Sequence, residues 1–363
     1  MIRPPSHLVL SDGATFEGSA AGFLPPSGVR GGEFVFNTAL SGYQEILTDP
    51  SYAGQVIAFT YPHVGNYGVT PLDDEARRPF CEGVVLRELS ASSSNWRSTG
   101  TLEEFLVRHK IPAIVGVDTR RLTRHLRTYG ALPGAFGHGG LEVVRDASRV
   151  ARGTEDTDLV SRVSTREAYV VGDGDLHIVA LDYGIKETMV RQLGSRFRVT
   201  VMPASSSADE IRQRHPDGLF LSNGPGDPAA LGAQVTVLDE LIGSVPIFGI
   251  CLGHQLLANA LGGSTFKLPF GHHGSNHPVQ DLVTGKIEIT AQNHNYAVNP
   301  DSLTRSLVSH VNLNDGVIEG IHAASERCFS VQYHPEAGPG PHDARYLFER
   351  FDALLRTNTL DAR

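Results

Sequence analysis

Residues 246–255 constrain the fold most tightly. The apolar run Pro246-Ile247-Phe248-Gly249-Ile250 ends at Cys251, and Leu252-Gly253-His254-Gln255 opens a helical pattern that continues to residue 261. A strand that turns at once into a helix needs glycine on both sides of the turn, because side chains there would collide. Such a turn lifts one side chain above the end of a sheet. A thiol held there meets unpaired N–H groups and the positive end of a helix, which favour the attacking form of the sulfur. The N–H of Leu252 faces the oxyanion that such an attack creates. Without the glycines, Cys251 would read as a core residue ending a strand. Gly249 and Gly253 turn the reading to a nucleophile.

A cysteine nucleophile needs a base, and the base needs an orienting group. The run 328–333 has the composition of a strand, and His334-Pro335-Glu336 follows it. Pro335 fixes the backbone between the two polar side chains, so the carboxylate can hold the imidazole in one orientation. Alone, this tripeptide would be a surface histidine beside a carboxylate; with the elbow it completes a catalytic set of Cys251, His334 and Glu336.

The fold class follows from how such runs alternate. Candidate strands at 177–182, 198–202, 218–222 and 246–250 alternate with helical patterns at 187–193, 208–214 and 254–261. That alternation predicts an α/β domain built on a doubly wound, mostly parallel sheet. Strand-like runs at 8–10, 15–18, 32–37 and 56–60, with helical patterns at 101–109 and 119–129, predict a smaller mixed α/β amino-terminal domain. The expected division is 1–150 for the first domain, 151–173 for a linker and 174–363 for the second, with a Gly-Asp-rich turn at 172–175.

At this point the chain resembles a family. Gly249-Ile250-Cys251-Leu252-Gly253-His254-Gln255 and Gln332-Tyr333-His334-Pro335-Glu336 are similar to the two catalytic motifs of class I glutamine amidotransferases. The resemblance implies that Cys251 attacks the side-chain amide of glutamine, that His334 passes the proton to departing ammonia, and that water hydrolyses a glutamyl thioester. The loop Ser222-Asn223-Gly224-Pro225-Gly226 reads locally as a generic turn; the resemblance makes Gly224 and Gly226 glutamine contacts, with Gly224 sharing the oxyanion with Leu252. Gln255, one helical turn after Cys251, could face the same ligand. Gln292-Asn293-His294-Asn295-Tyr296 is similar to a segment that contacts the glutamine backbone, and carries Asn293, Asn295 and Tyr296 into the site. Asn295 stands where the family has glycine, and asparagine tolerates a positive φ better than most residues.

The first domain selects among amidotransferases. Residues 36–52, 60–68 and 116–123 resemble the amino-terminal domain of the carbamoyl phosphate synthase small-subunit family. Ser51, otherwise a turn or cap serine, matches a residue that reaches glutamine. By that resemblance the chain is the glutaminase subunit of an enzyme that makes carbamoyl phosphate, for arginine and pyrimidine synthesis, from bicarbonate, ATP and ammonia. It implies no cofactor in this chain, ATP and Mg on a large ammonia-using partner subunit, and a heterodimer or a higher assembly of heterodimers. The alternatives are the glutaminase subunit of another synthase, against which the first domain argues, and a catalytically silent regulatory binding module, against which the complete catalytic set argues.

Composition supports this reading by exclusion. The formal net charge of -9, from 31 basic and 40 acidic residues, offers no global positive charge for a nucleic-acid partner. The arginines of 120–127 read as a solvated helix face over Leu122 and Leu126, with a role toward the large subunit as the other option. No apolar stretch approaches the ~20 residues of a membrane span, and the run 8–10 is too short for a signal-peptide core. Three cysteines far apart form no disulfide framework or metal spacing, so a cytoplasmic location is expected. The histidines of 271–277 lack a nearby cysteine or carboxylate, and no metal site is expected there.

Overall fold

Short β-branched runs interrupted by glycine and proline close into a barrel in the first part of the chain. In the computed structural model, which describes residues 3–360, seven strands follow one another around it: Pro5–Leu10, Thr15–Gly22, Pro112–Val115, Gly83–Leu86, Gln55–Phe59, Val29–Asn37 and Leu132–Gly137. Closure leaves no unpaired edge. Alternation along Val29–Asn37 sends Phe34 and Phe36 to one apolar cluster and Val35 to another, as a period of two requires. Gln55–Phe59 pairs in parallel on both sides and is buried along its whole length, so its sequence is nearly all apolar rather than alternating. The helix Thr119–Tyr129 sinks Leu122 and Leu126 into the cluster of Phe34 and Phe36, and Asp118 caps it by accepting from the Arg121 N–H.

This unit runs to Glu155 and takes in Pro269–His273, a stretch that a division at residue 174 leaves in the second domain. Ala131 N donates to Pro269 O at 2.8 Å, Thr38 N to His273 O at 3.1 Å, and Phe36 stacks on Phe270.

The second unit starts at Asp156. Its sheet has ten strands, and at the centre Arg198–Pro203, His177–Asp182, Gly218–Leu221, Ile247–Ile250 and Cys328–Val331 run parallel. Successive residues of His177–Asp182 face opposite sides: Ile178 and Ala180 join one core, Val179 and Leu181 the other. Helices cover both faces, Leu252–Ala260 on the side of Leu181 and Glu187–Gly194 with Tyr346–Thr357 on the side of Ala180. The sheet is therefore doubly wound, and its parallel order is confined to this centre. Antiparallel strands extend it through Ile318–Ala323, Leu307–Asn312 and the long Thr265–Asp281. At the other edge Tyr169–Val171, inside the expected linker, pairs antiparallel with Arg198–Pro203.

Candidate active site

Cys251 sits between the strand Ile247–Ile250 and the helix Leu252–Ala260 with φ 54° and ψ -106°. A non-glycine residue rarely adopts such a backbone, and packing on both sides must hold it there. Cys251 N donates to Val331 O at 2.9 Å, Gly253 N to Ser222 O at 3.0 Å, and Gln255 N to Cys251 O at 3.1 Å. Glycine is required at both flanks by close approach: a Cβ on Gly253 would lie 2.3 Å from Leu221 O, and one on Gly249 2.8 Å from Gly253 O. The elbow read from the sequence thus exists as a strained turn clamped between backbone atoms.

Parallel pairing of Ile250 with Val331 brings the end of Cys328–Val331 alongside Cys251. Beyond that end, His334 N donates to Ala291 O at 2.9 Å, and His334 Nδ1 lies 2.7 Å from Glu336 Oε1. Cys251, His334 and Glu336 are 2%, 3% and 0% exposed, so water contributes little to their charges. With Nδ1 committed to the carboxylate, Nε2 is the ring atom left for the sulfur. Among the described residues no fully formed hydrogen bond reaches Nε2, and the sulfur lies 3.6 Å from Asn293 O.

A residue that the sequence reading missed completes the arrangement. Lys186 Nζ donates to Glu336 Oε1 at 2.9 Å and to Ala337 O at 2.7 Å, in a pocket where lysine and glutamate are both buried. Lys186 stands at the start of the helix Glu187–Gly194, just past the carboxyl end of a central parallel strand. Sites in such sheets gather at that end, and this was the available signal. Burial pushes the Glu336 carboxyl up, but Lys186 and then His334 outweigh it and hold it below its ordinary value. Burial likewise opposes a charged His334; the Glu336 carboxylate, helped by the nearby sulfur, raises it to about 10. The net effect favours the charged ring over the neutral one.

The loop after Gly218–Leu221 lies against the start of the helix Leu252–Ala260. A Cβ on Gly224 would lie 2.8 Å from Leu252 Cδ2 and 2.3 Å from Tyr183 O, while Gly226 has φ 92°. Gln255 Nε2 donates to Tyr296 O at 2.8 Å and Gln332 Oε1 at 3.0 Å. Both of its amide hydrogens are thereby used, and Oε1 is the polar atom of that side chain that can accept a further bond. Asn293, Asn295 and Tyr296 lie buried on Ile287–Val298. Asn295 is not among the residues with positive φ, so its tolerance of left-handed backbone is not called on. Ser51 lies in the first unit, buried in the short helix Pro50–Tyr52, with its N–H donating to Asp49 Oδ1 at 2.9 Å.

Two family profiles divide the chain. "Glutamine amidotransferase class-I" matches residues 179–354, and "Carbamoyl-phosphate synthase small chain, CPSase domain" matches residues 8–136. The carbamoyl phosphate synthase small chain of Chlorobaculum tepidum is 48% identical over 364 residues, covering 98% of this chain and 99% of the relative. The pyrimidine-specific small chain of Bacillus subtilis is 46% identical over 352 residues, 97% of this chain and 96% of the relative. The chloroplastic small chain of Oryza sativa subsp. japonica is 46% identical over 373 residues, 98% of this chain and 83% of the relative.

Proposed function

The chain belongs to the carbamoyl phosphate synthase small chains, the glutamine-hydrolysing partners of a large subunit, and from that premise we propose how its residues divide the work. Cys251 sulfur attacks the side-chain amide carbon of glutamine, and the thiol proton is held on His334. Leu252 and Gly224 N–H groups receive the oxyanion. His334 then protonates the departing nitrogen, and ammonia leaves a glutamyl thioester on Cys251. Water adds to the thioester as His334 takes its proton. Glutamate departs, the Cys251 sulfur is freed, and the proton from water remains on His334. Glu336 orients the ring and stabilises its charge, and Lys186 keeps that carboxylate ionised.

Glutamine is held by Gly224 and Gly226, by Gln255 through Oε1, and by Asn293, Asn295 and Tyr296. Ser51 is added to this set on the family resemblance alone. A cytoplasmic location suits a chain whose three cysteines are unpaired and whose chemistry needs a reduced thiol. Among the described residues no helix is long and apolar enough to cross a membrane.

The observation that carries the residue assignment is the strained Cys251 turn at the end of the sheet, next to the buried His334 and Glu336 pair. Cys251→Ser in the assembled enzyme is expected to abolish carbamoyl phosphate synthesis from glutamine and to preserve synthesis from ammonium, because only the donor reaction uses the thiol. Retained glutamine hydrolysis would assign the nucleophile elsewhere.

A further inference from the structure

The first unit carries a cleft of about 530 Å³ whose lining includes Phe16, Arg120, Arg121, Arg124, His125 and Tyr129. Its charge departs from that of the chain, which is acidic at -9 overall. The helix Thr119–Tyr129 accounts for the concentration. Leu122 and Leu126 are buried, and positions four apart on a helix lie side by side, so Arg120 with Arg124, and Arg121 with His125, form two adjacent rows.

The cleft is partly preorganised. The Arg121 guanidinium lies over the Phe16 ring, 4.0 Å from its centre, and donates to Thr15 O at 2.6 Å. The nearby carboxylates are occupied, Asp118 as the helix cap and Asp12 with His125 Nε2 at 2.6 Å. Arg120 and Arg124 are in no ion pair among the described residues. Tyr129, beside them, is 65% exposed. Two uncommitted guanidinium forks beside exposed aromatic surface are the elements that protein interfaces concentrate.

We infer that this cleft is a docking site for an acidic segment of the large subunit, its carboxylates received by Arg120 and Arg124 and its apolar flank by Tyr129. The inference rests on the pairing with a large subunit set out above, and on charge complementarity. A row of arginines one helical turn apart matches successive carboxylates on a protein segment, each able to bind a planar fork in two places. Charges at the rim of an interface act mainly on the rate and salt dependence of association.

The test is the affinity of the full chain for the large subunit, with Arg120→Glu and Arg124→Glu combined. At about 50 mM salt the double variant is expected to bind at least about tenfold more weakly, with the gap closing at about 500 mM. Arg120→Gln with Arg124→Gln shifts affinity the same way by less. Arg127→Glu, on the same helix but outside the cleft, stays within about twofold. Glutamine hydrolysis by the uncomplexed variant is unchanged, which separates this result from any failure of the catalytic assignment. Unaltered affinity overturns the inference. So does an equal loss with Arg127→Glu, which would mark a general charge effect, and so does saturable binding of inorganic phosphate at the cleft with assembly unaffected.

Discussion

His334 and His254 are both buried beside the strand Cys328–Val331, and they hold protons in opposite ways. His254 Nδ1 meets the Ser330 hydroxyl at 2.9 Å; burial, reinforced by nearby His310, lowers it to about 3. His334 has as little water, but its Nδ1 meets the Glu336 carboxylate and it rises to about 10. Desolvation alone would empty both rings of charge. The main difference is one carboxylate, with the Cys251 sulfur adding to it, and that carboxylate stays ionised in the interior because Lys186 faces it. Lys186, Glu336 and His334 therefore act as a unit, whereas His254 is a neutral tie between the helix Leu252–Ala260 and the neighbouring strand.

The largest effect should come from removing the cation. Lys186→Met leaves Glu336 buried without its strongest partner, and breaking a buried ion pair costs about 3–5 kcal/mol. Urea unfolding near neutral pH should show that loss. The sign follows from Glu336: its carboxyl is lowered from 4.5, so the stability it confers is present above that value and disappears as pH falls through the folded-state value. The gap between wild type and variant should therefore narrow in acid. A loss under about 1 kcal/mol at neutral pH would mean the carboxylate is held by other groups.

A smaller effect is expected at the other histidine. His254→Asn removes one hydrogen bond and some volume from the core, for a loss of about 1–2 kcal/mol. Glutamine hydrolysis should stay within about threefold with its pH profile unmoved, since a neutral ring outside the proton path contributes no charge. A displaced pH profile, measured by steady-state rates, would show that His254 takes part in proton transfer and would dissolve the contrast.

The sequence made some of this arrangement legible and concealed the rest for physical reasons. Gly249, Cys251 and Gly253 were readable because steric exclusion at a strand-to-helix turn leaves a local signature. His334 and Glu336 were readable because Pro335 stiffens the link between them. All five central strands appeared as apolar runs, since a strand covered on both faces has little choice of residue. Lys186 left no such trace: a lysine at a helix start looks like a solvated side chain, and its burial depends on Glu336, far away in the chain. Barrel closure was hidden too, because register among short strands is set by pairing across long separations. The grouping of Pro269–His273 with the first unit has the same origin. Gln255 is expected near the site from its position on the helix, but only its bonds to Tyr296 and Gln332 show that its nitrogen is already used.

The central claim is that the Glu336 carboxylate reverses the effect of burial at the His334 ring. The most direct measurement is an NMR titration of the His334 ring carbon in wild type and in Glu336→Gln. In wild type the ring should remain protonated through neutral pH and lose its proton near 10. Its contribution to stability should be complete below the ordinary value of 6.5 and vanish as pH rises through 10. In Glu336→Gln the ring should lose its proton at a clearly lower pH than in wild type, because burial is then opposed only by the Cys251 sulfur. A wild-type ring that loses its proton at or below 6.5, or a variant ring that still holds it at 10, would contradict the account.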